Sequence, residues 1–362
     1  MSPLFHKKSE EEKAADQAAA QARRDAAERS EQRAAQSLAL IEQGHIPVAA
    51  AERLARFAGA ETGAEGAATG VQETGAQGSE GTAAEAGGQA GATVFSSDLA
   101  VSEWSALARL GVEPITQVMG SSIYHVGWQP TYYNVPTEVR VLSDAYNESR
   151  RLALNRLLEE AQACRADAVV AVEITTGAHD WAPGSVEFIA VGTAVRLPEA
   201  MRDPSRQTAL SDLTGQEFAL LCEAGVRPVG IAAHTSVHYV PASGQTQMAQ
   251  SGFGGGLLGG GLAGGGGGSW ANQELVDFSQ GVYEAREKAM GFVNAQVREL
   301  GGDGVIGVEI SEHSRTHAVK RGMYESKDLE VTFHVMGTVV REEPALAAKT
   351  TQPPPLKILS LS

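Results

Sequence analysis

The sequence predicts an α+β protein made of two tandem, duplicated β-α-β-β domains behind an N-terminal helical segment, and three observations predict it. The stretch SDLAVSEWSALARLGVEPITQVMGSSIYHV (97–126) returns as SDLTGQEFALLCEAGVRPVGIAAHTSVHYV (211–240). RADAVVAVEI (165–174) returns as GGDGVIGVEI (301–310), and FIAVGTAVR (188–196) as FHVMGTVVR (333–341). Three blocks in one order, twice, mark a duplicated domain. Each half is then a second opinion on the other: a residue present in both copies is a candidate for the domain's own work, and one present in a single copy is not.

The same pattern places the elements. Each copy opens with a short helix that Gly111 or Gly225 ends, with Thr214 and Glu217 as a capping box in the second copy. A strand follows, Ile115–Val126 or Val229–Val240, rich in β-branched residues. Next comes the main helix, with Leu154, Leu157, Leu158 and Ala161 as its apolar face in the first copy. Met290, Val293, Val297 and Leu300 play that part in the second, and Gly301 is the stop. Two strands finish each copy, 168–174 and 187–196, then 304–310 and 329–341. A three-stranded sheet with a helix on one face leaves edges and apolar residues such as Val169, Val170, Val172, Val305, Ile306 and Val308 without a partner. The domain is therefore expected to assemble with copies of itself.

The segments around the copies differ in kind. Residues 1–58 form an N-terminal helical segment: a long Ala-rich helix over 9–43, opened by Ser9 and Glu12 and stopped at Gly44, then a short one over 48–57 behind Pro47. Its charges balance and its apolar face is thin, so it reads as a solvated helix or a partner-docking coiled coil. Residues 59–96 are a linker of Gly, Ala, Thr, Ser and Gln with five glutamates and no Lys or Arg. Such a composition cannot bury enough apolar area to fold and is expected to be disordered. The copies then run over 97–200 and 211–343, the second interrupted by a Gly-rich insertion at 251–268, and 344–362 is a C-terminal tail.

Composition excludes several classes of function. The formal net charge of -15 leaves no basic stripe for nucleic acid. No run of eighteen apolar residues exists to span a membrane, and MSPLFHKKSEEEK has no apolar signal core. Cys164 and Cys222 lack a CxxC partner and read as reduced, buried thiols, so a cytoplasmic location is expected.

The main helix followed by ADAVVAVEI and VEFIAVGTAVRL resembles the YbjQ-like family, bacterial domains labelled as heavy-metal-binding. Asp167, Val169, Val170, Val172, Gly192, Thr193, Ala194 and Val195 match its pattern. In the second copy Asp303, Val305, Gly307, Val308, Gly337, Thr338 and Val339 do. The resemblance implies a dodecin-like β-α-β-β fold and ring-like oligomers, pentameric in single-domain members. Its metal label comes without a motif that transfers to this chain.

No catalytic set is visible. HExxH, GxSxG and zinc-spaced Cys/His patterns are missing, and the glycines around Gly254 follow no strand and precede no Lys-Ser/Thr. His234 and His238 lie four apart on a strand and His334 sits on the last strand, whereas His313 and His317 are expected to flank a loop. The first copy has Gly120, Tyr124 and Ile189 in place of the three strand histidines, which argues against a metal site belonging to the domain. The duplicated acids are Asp98/Asp212 and Glu103/Glu217 at helix starts, Asp167/Asp303 in helix-to-strand turns, and Glu173/Glu309 inside apolar strands. The first three pairs are expected to cap backbone N–H groups locally; Glu173 and Glu309 face solvent or line the lumen of an oligomer. No catalytic, cofactor or metal residue is assigned, the cofactor is unknown, and His234, His238, His334, Glu173 and Glu309 are only candidates. The expectation is a non-enzymatic, self-assembling tandem protein that binds itself, with a metal or small ligand as a candidate cargo of the domain; the alternative is a scaffold whose residues 1–58 recruit a protein partner.

Overall fold

The computed structural model describes residues 10–58, 95–130, 132–177, 182, 184–203, 205, 207–251, 272–321 and 324–349. Most of the linker (59–94), most of the glycine insertion, Ser9 of the expected capping box and the tail beyond 349 lie outside the described residues. The chain divides into two units, 1–77 and 78–362. In the first, α1 (Glu10–Glu42) and α2 (Val48–Ala58) form a helical hairpin around Gly44, whose φ of 90° suits glycine. Arg33 pairs with Glu52 at 2.9 Å across it. Residues 21–36 of α1 are all exposed, as the thin apolar face predicts.

The second unit holds two four-stranded sheets. α3 (Val101–Arg109), β1 (Glu113–His125), β2 (Thr137–Glu138), α4 (Arg140–Ala163), β3 (Ala168–Gly177), β4 (Ser185–Arg196) and β5 (Ala209–Leu210) come first. α5 (Gly215–Glu223), β6 (Val226–Val240), α6 (Gly244–Ser251), α7 (Val276–Glu299), β7 (Gly304–Arg321), β8 (Tyr324–Glu342) and α8 (Pro344–Lys349) follow. One sheet runs β1-β4-β3-β5 and the other β2-β6-β8-β7. Each has a long strand, a helix packed on its face, then an antiparallel pair whose last strand is central. The registers agree in detail. Val170 opposes Thr193 and Glu173 opposes Val191, with a bulge between; Ile306 opposes Thr338 and Glu309 opposes Met336, with a bulge at the same place. Ala171 and Gly307 take positive φ at those bulges. A second bulge follows Pro114 in β1 and Pro228 in β6.

The helices bury a narrower stripe than the leucine pattern predicts. The row against the first sheet is Ala145, Ser149, Ala153, Leu157 and Ala161, while Leu154 and Leu158 are half-buried. In α7 it is Gly281, Ala285, Ala289, Val293 and Val297, with Leu300 exposed. Small residues at i, i+4 bring helix and sheet backbones close. A Cβ on Gly120 of β1 would fall 2.0 Å from the Ala153 carbonyl oxygen and 2.5 Å from the Leu157 nitrogen.

The strand pair β7–β8 extends to Arg321 and Tyr324, far beyond the expected ends at 310 and 329. His313 and His317 therefore lie within β7, opposite Thr332 and Asp328, and do not flank a loop. Long polar strands without glycine or proline give no boundary signal.

Candidate functional site

The duplicated residues fall into clasps that close each copy. Ser97 Oγ lies 3.0 Å from Thr193 Oγ1, which donates to Asp98. Ser211 and Thr338 make the same pair at 3.1 Å, and Thr338 donates to Asp212. Asp98 and Asp212 thus hold the Gly-Thr pair inside the last strand of each half and are not helix caps. Glu103 and Glu217 do cap, accepting from the backbone N–H of Ala100 and Thr214 at 2.6 and 2.9 Å. Asp167 accepts from the Leu197 N–H at 2.9 Å and Asp303 from the Glu342 N–H at 2.8 Å. These bonds reach across to the end of the last strand; the expected local turn bond is replaced by a tertiary one. Glu173 and Glu309 follow the bulges and are exposed. Except for these two glutamates, the acids the two copies share hold their own fold.

A polar, largely buried locus is the seam where α4 of the first half meets β6 of the second. Asn147 clamps the edge of β6: its amide donates to the Thr235 carbonyl and its oxygen accepts the Thr235 N–H, both at 2.8 Å. Ser143 accepts the Val237 N–H at 3.0 Å, and the Val139 N–H donates to the Val237 carbonyl at 2.8 Å. Arg150 is buried against the Phe188 ring and donates to Asn147 and, at 2.8 Å, to Thr235 Oγ1. Burial draws its guanidinium down to about 10, so it is charged at neutral pH. Because arginine only donates, Thr235 Oγ1 accepts from it, and the same hydroxyl shares a hydrogen bond with His334 Nδ1, 2.8 Å away. Burial and the Arg150 charge draw the His334 pKa down to about 4, so the ring is neutral at pH 7. On the other side of β6, His234 stacks on Phe292 at 4.1 Å and is likewise drawn to about 4 by burial. An open cleft of about 1370 Å³ runs beside the seam, bordered by Leu154, Leu158, His234 and Leu300.

This arrangement joins two sheets, and burial keeps His234 and His334 neutral at pH 7. It does not fit a metal. Among the described residues no group of three or more His, Cys, Asp and Glu is placed to hold an ion. His313 and His334 rings are 5.9 Å apart but stand alone, and His234 faces Phe292. Cys164 and Cys222 are both buried, and burial pushes their thiols up to about 11 and 12, so neither is a thiolate at neutral pH. Asn147→Ala is expected to lower the thermal midpoint at a cost of about 2–4 kcal/mol, since the Thr235 N–H and C=O both lose their partner in a buried seam. A melt within about 0.5 kcal/mol of wild type would show that the seam does not hold the halves.

Residues 133–198 match the family described as "Putative heavy-metal-binding", YbjQ. The Encapsulin nanocompartment protein Rv1762c of Mycobacterium tuberculosis is 33% identical over 251 residues, 68% of this chain and 86% of that protein. A UPF0145 protein of Clostridium novyi is 34% identical over 91 residues, 24% of this chain and 86% of its own length. The chain belongs to the YbjQ (UPF0145) family. A UPF0145 protein of Methanococcus vannielii is 43% identical over 60 residues, 17% of this chain and 55% of that protein. No solved structure matches. The YbjQ match covers β2, α4, β3 and β4, so the side chains on the α4 half of the seam lie inside the family domain. Among the described residues no helix is long and apolar enough to cross a membrane.

Proposed function

We propose that this chain is a non-enzymatic, self-assembling subunit made of two YbjQ domains, residues 97–200 and 211–343, that builds a multi-chain particle. The observation that carries the reading is the set of large apolar side chains left exposed on regular elements. Val101 and Trp104 on α3, Met119 and Ile123 on β1, and Val308 and Ile310 on β7 are all open to water. Exposed apolar patches on ordered elements mark interaction surfaces. The relative named as an encapsulin nanocompartment protein supports an assembled particle, and the buried thiols fit the reducing cytoplasm. Light scattering on the full-length chain after size exclusion tests it: a multimer is expected at micromolar concentration, and a single-chain mass would refute it.

The α1–α2 hairpin adds a recruitment element in this reading. It forms its own unit, its residues 21–36 are exposed, and a linker of Gly, Ala and Ser tethers it. Residues 1–58 should then retain a specific protein in a pull-down that the remainder of the chain does not retain.

A further inference from the structure

The seam inside one chain is head-to-tail, and it leaves one unmatched surface of each kind at the two ends of the tandem. The segment before α5 adds to the edge of β3. Ala209 and Ser211 N–H donate to the Asp167 and Val169 carbonyls at 3.1 and 2.9 Å. In return the Ala171 and Val172 N–H donate to Leu213 and Ser211 at 2.9 and 3.0 Å. The side chains of that segment are meanwhile held by their own copy, through Ser211, Asp212 and Thr338. Its backbone is thus displayed outward, toward the other half.

The first copy holds the same segment in the same way. Ser97 and Asp98 are clasped to Thr193, and the Leu99 N–H bonds Ser97 Oγ at 3.0 Å as Leu213 bonds Ser211 at 3.2 Å. Yet among the described residues no strand pairs with 95–99, and β7, the counterpart of β3, is a sheet edge. Exposure follows the same asymmetry. Val172 is 2% exposed and its counterpart Val308 38%; Phe218 is 2% exposed and its counterpart Trp104 42%. Val237 on β6 is fully buried where Ile123 on β1 is 53% exposed. The helix side repeats it: Ser143 of α4 bonds β6, whereas Ser279 at the same place on α7 bonds no β-strand among the described residues. Asn147 is replaced by Tyr283, so the Asn147 clamp is not carried over.

Resting on the self-assembly reading above, we infer that the occupant of these surfaces is a second copy of this chain, docked by the same operation that joins the two halves. Residues 95–99 of one chain add as a parallel strand to the edge of β7 in the next. The Gly307 and Val308 N–H donate to the Leu99 and Ser97 carbonyls, Trp104 covers that edge as Phe218 covers β3, and α7 lies along β1. Such an interface is heterologous: each chain offers one donor end and one acceptor end, and growth closes into a ring or continues as a filament with an even number of domains.

Two variants at exposed positions test this, Trp104→Glu at the donor end and Val308→Asp at the acceptor end. Each alone should fall to the mass of one chain in native mass spectrometry while keeping the wild-type circular dichroism. Mixed in equal amounts they should form a two-chain species and stop there, because one intact donor meets one intact acceptor. Trp104→Phe, which copies Phe218, should assemble as wild type. A mixture that stays single-chain overturns the inference, as does full-size assembly of both acidic variants; the latter leaves self-assembly itself standing. A single-chain wild type overturns both.

Discussion

Gly120→Val should unfold the first domain or cost more than about 3 kcal/mol, above the usual range for overpacking. The reason is what the new atoms meet. Most overpacked side chains push against other side chains, which can change rotamer. At Gly120 the contacts are the Ala153 carbonyl oxygen and the Leu157 nitrogen, both α4 backbone. The helix would have to lift from β1, and lifting it also withdraws Asn147 and Arg150 from β6, so the second sheet loses its covered edge as well. A native stability of about 5–15 kcal/mol tolerates little of this. Gly291 is the control: it lies in α7 with nothing within 4 Å of a built Cβ, so Gly291→Ala should stabilise by about 0.5–1 kcal/mol. Chemical denaturation of both variants measures the two effects, and equal small shifts would contradict the close-approach argument.

Acidification should destabilise the seam before it destabilises the strand clasps. His234 and His334 have folded pKa values drawn to about 4 by burial, against about 6.5 when unfolded. The unfolded chain therefore binds more protons between these values, and stability rises with pH across that window. Their contribution is complete above about pH 6.5 and is lost as the pH falls toward 4, by at most about 3 kcal/mol for each histidine. His238 shifts in the same direction through burial. His334 has a second reason: a charge on its ring would face the nearby Arg150 guanidinium. The His234→Asn, His334→Asn double variant should flatten the melting temperature between pH 7 and 4.5 relative to wild type. Parallel profiles for the two proteins would show that these imidazoles are not linked to folding.

The order of elements was legible because apolar periodicity and glycine stops recur twice. The Ser-Asp, Gly-Thr and turn-Asp residues were legible as shared, but their partners were not. Asp98 and Asp167 sit at helix starts and turns where local capping is the ordinary outcome, and only the fold brings Thr193 and Leu197 to them. The seam was hidden for a different reason. Comparing the copies favours residues that do the same job in both, whereas Asn147 joins one copy to the other and is Tyr283 in the second. The length of β7–β8 was illegible because its outer half is polar and contains no breaker before Gly322. Among the described residues no group of three or more His, Cys, Asp and Glu is placed to hold the ion that the family's label names.

Amide hydrogen exchange on the full-length chain at micromolar concentration tests the head-to-tail account most directly. Ala171 and Val172 donate to the inserted strand within each chain and should be protected. Gly307 and Val308 occupy the matching bulge on the open edge of β7, and their protection can come only from another chain if the pairing is as described. The account predicts protection of Gly307 and Val308 equal to that of Ala171 and Val172 in wild type, lost in Trp104→Glu. Fast exchange at Gly307 and Val308 in wild type, beside slow exchange at Ala171 and Val172, would contradict it.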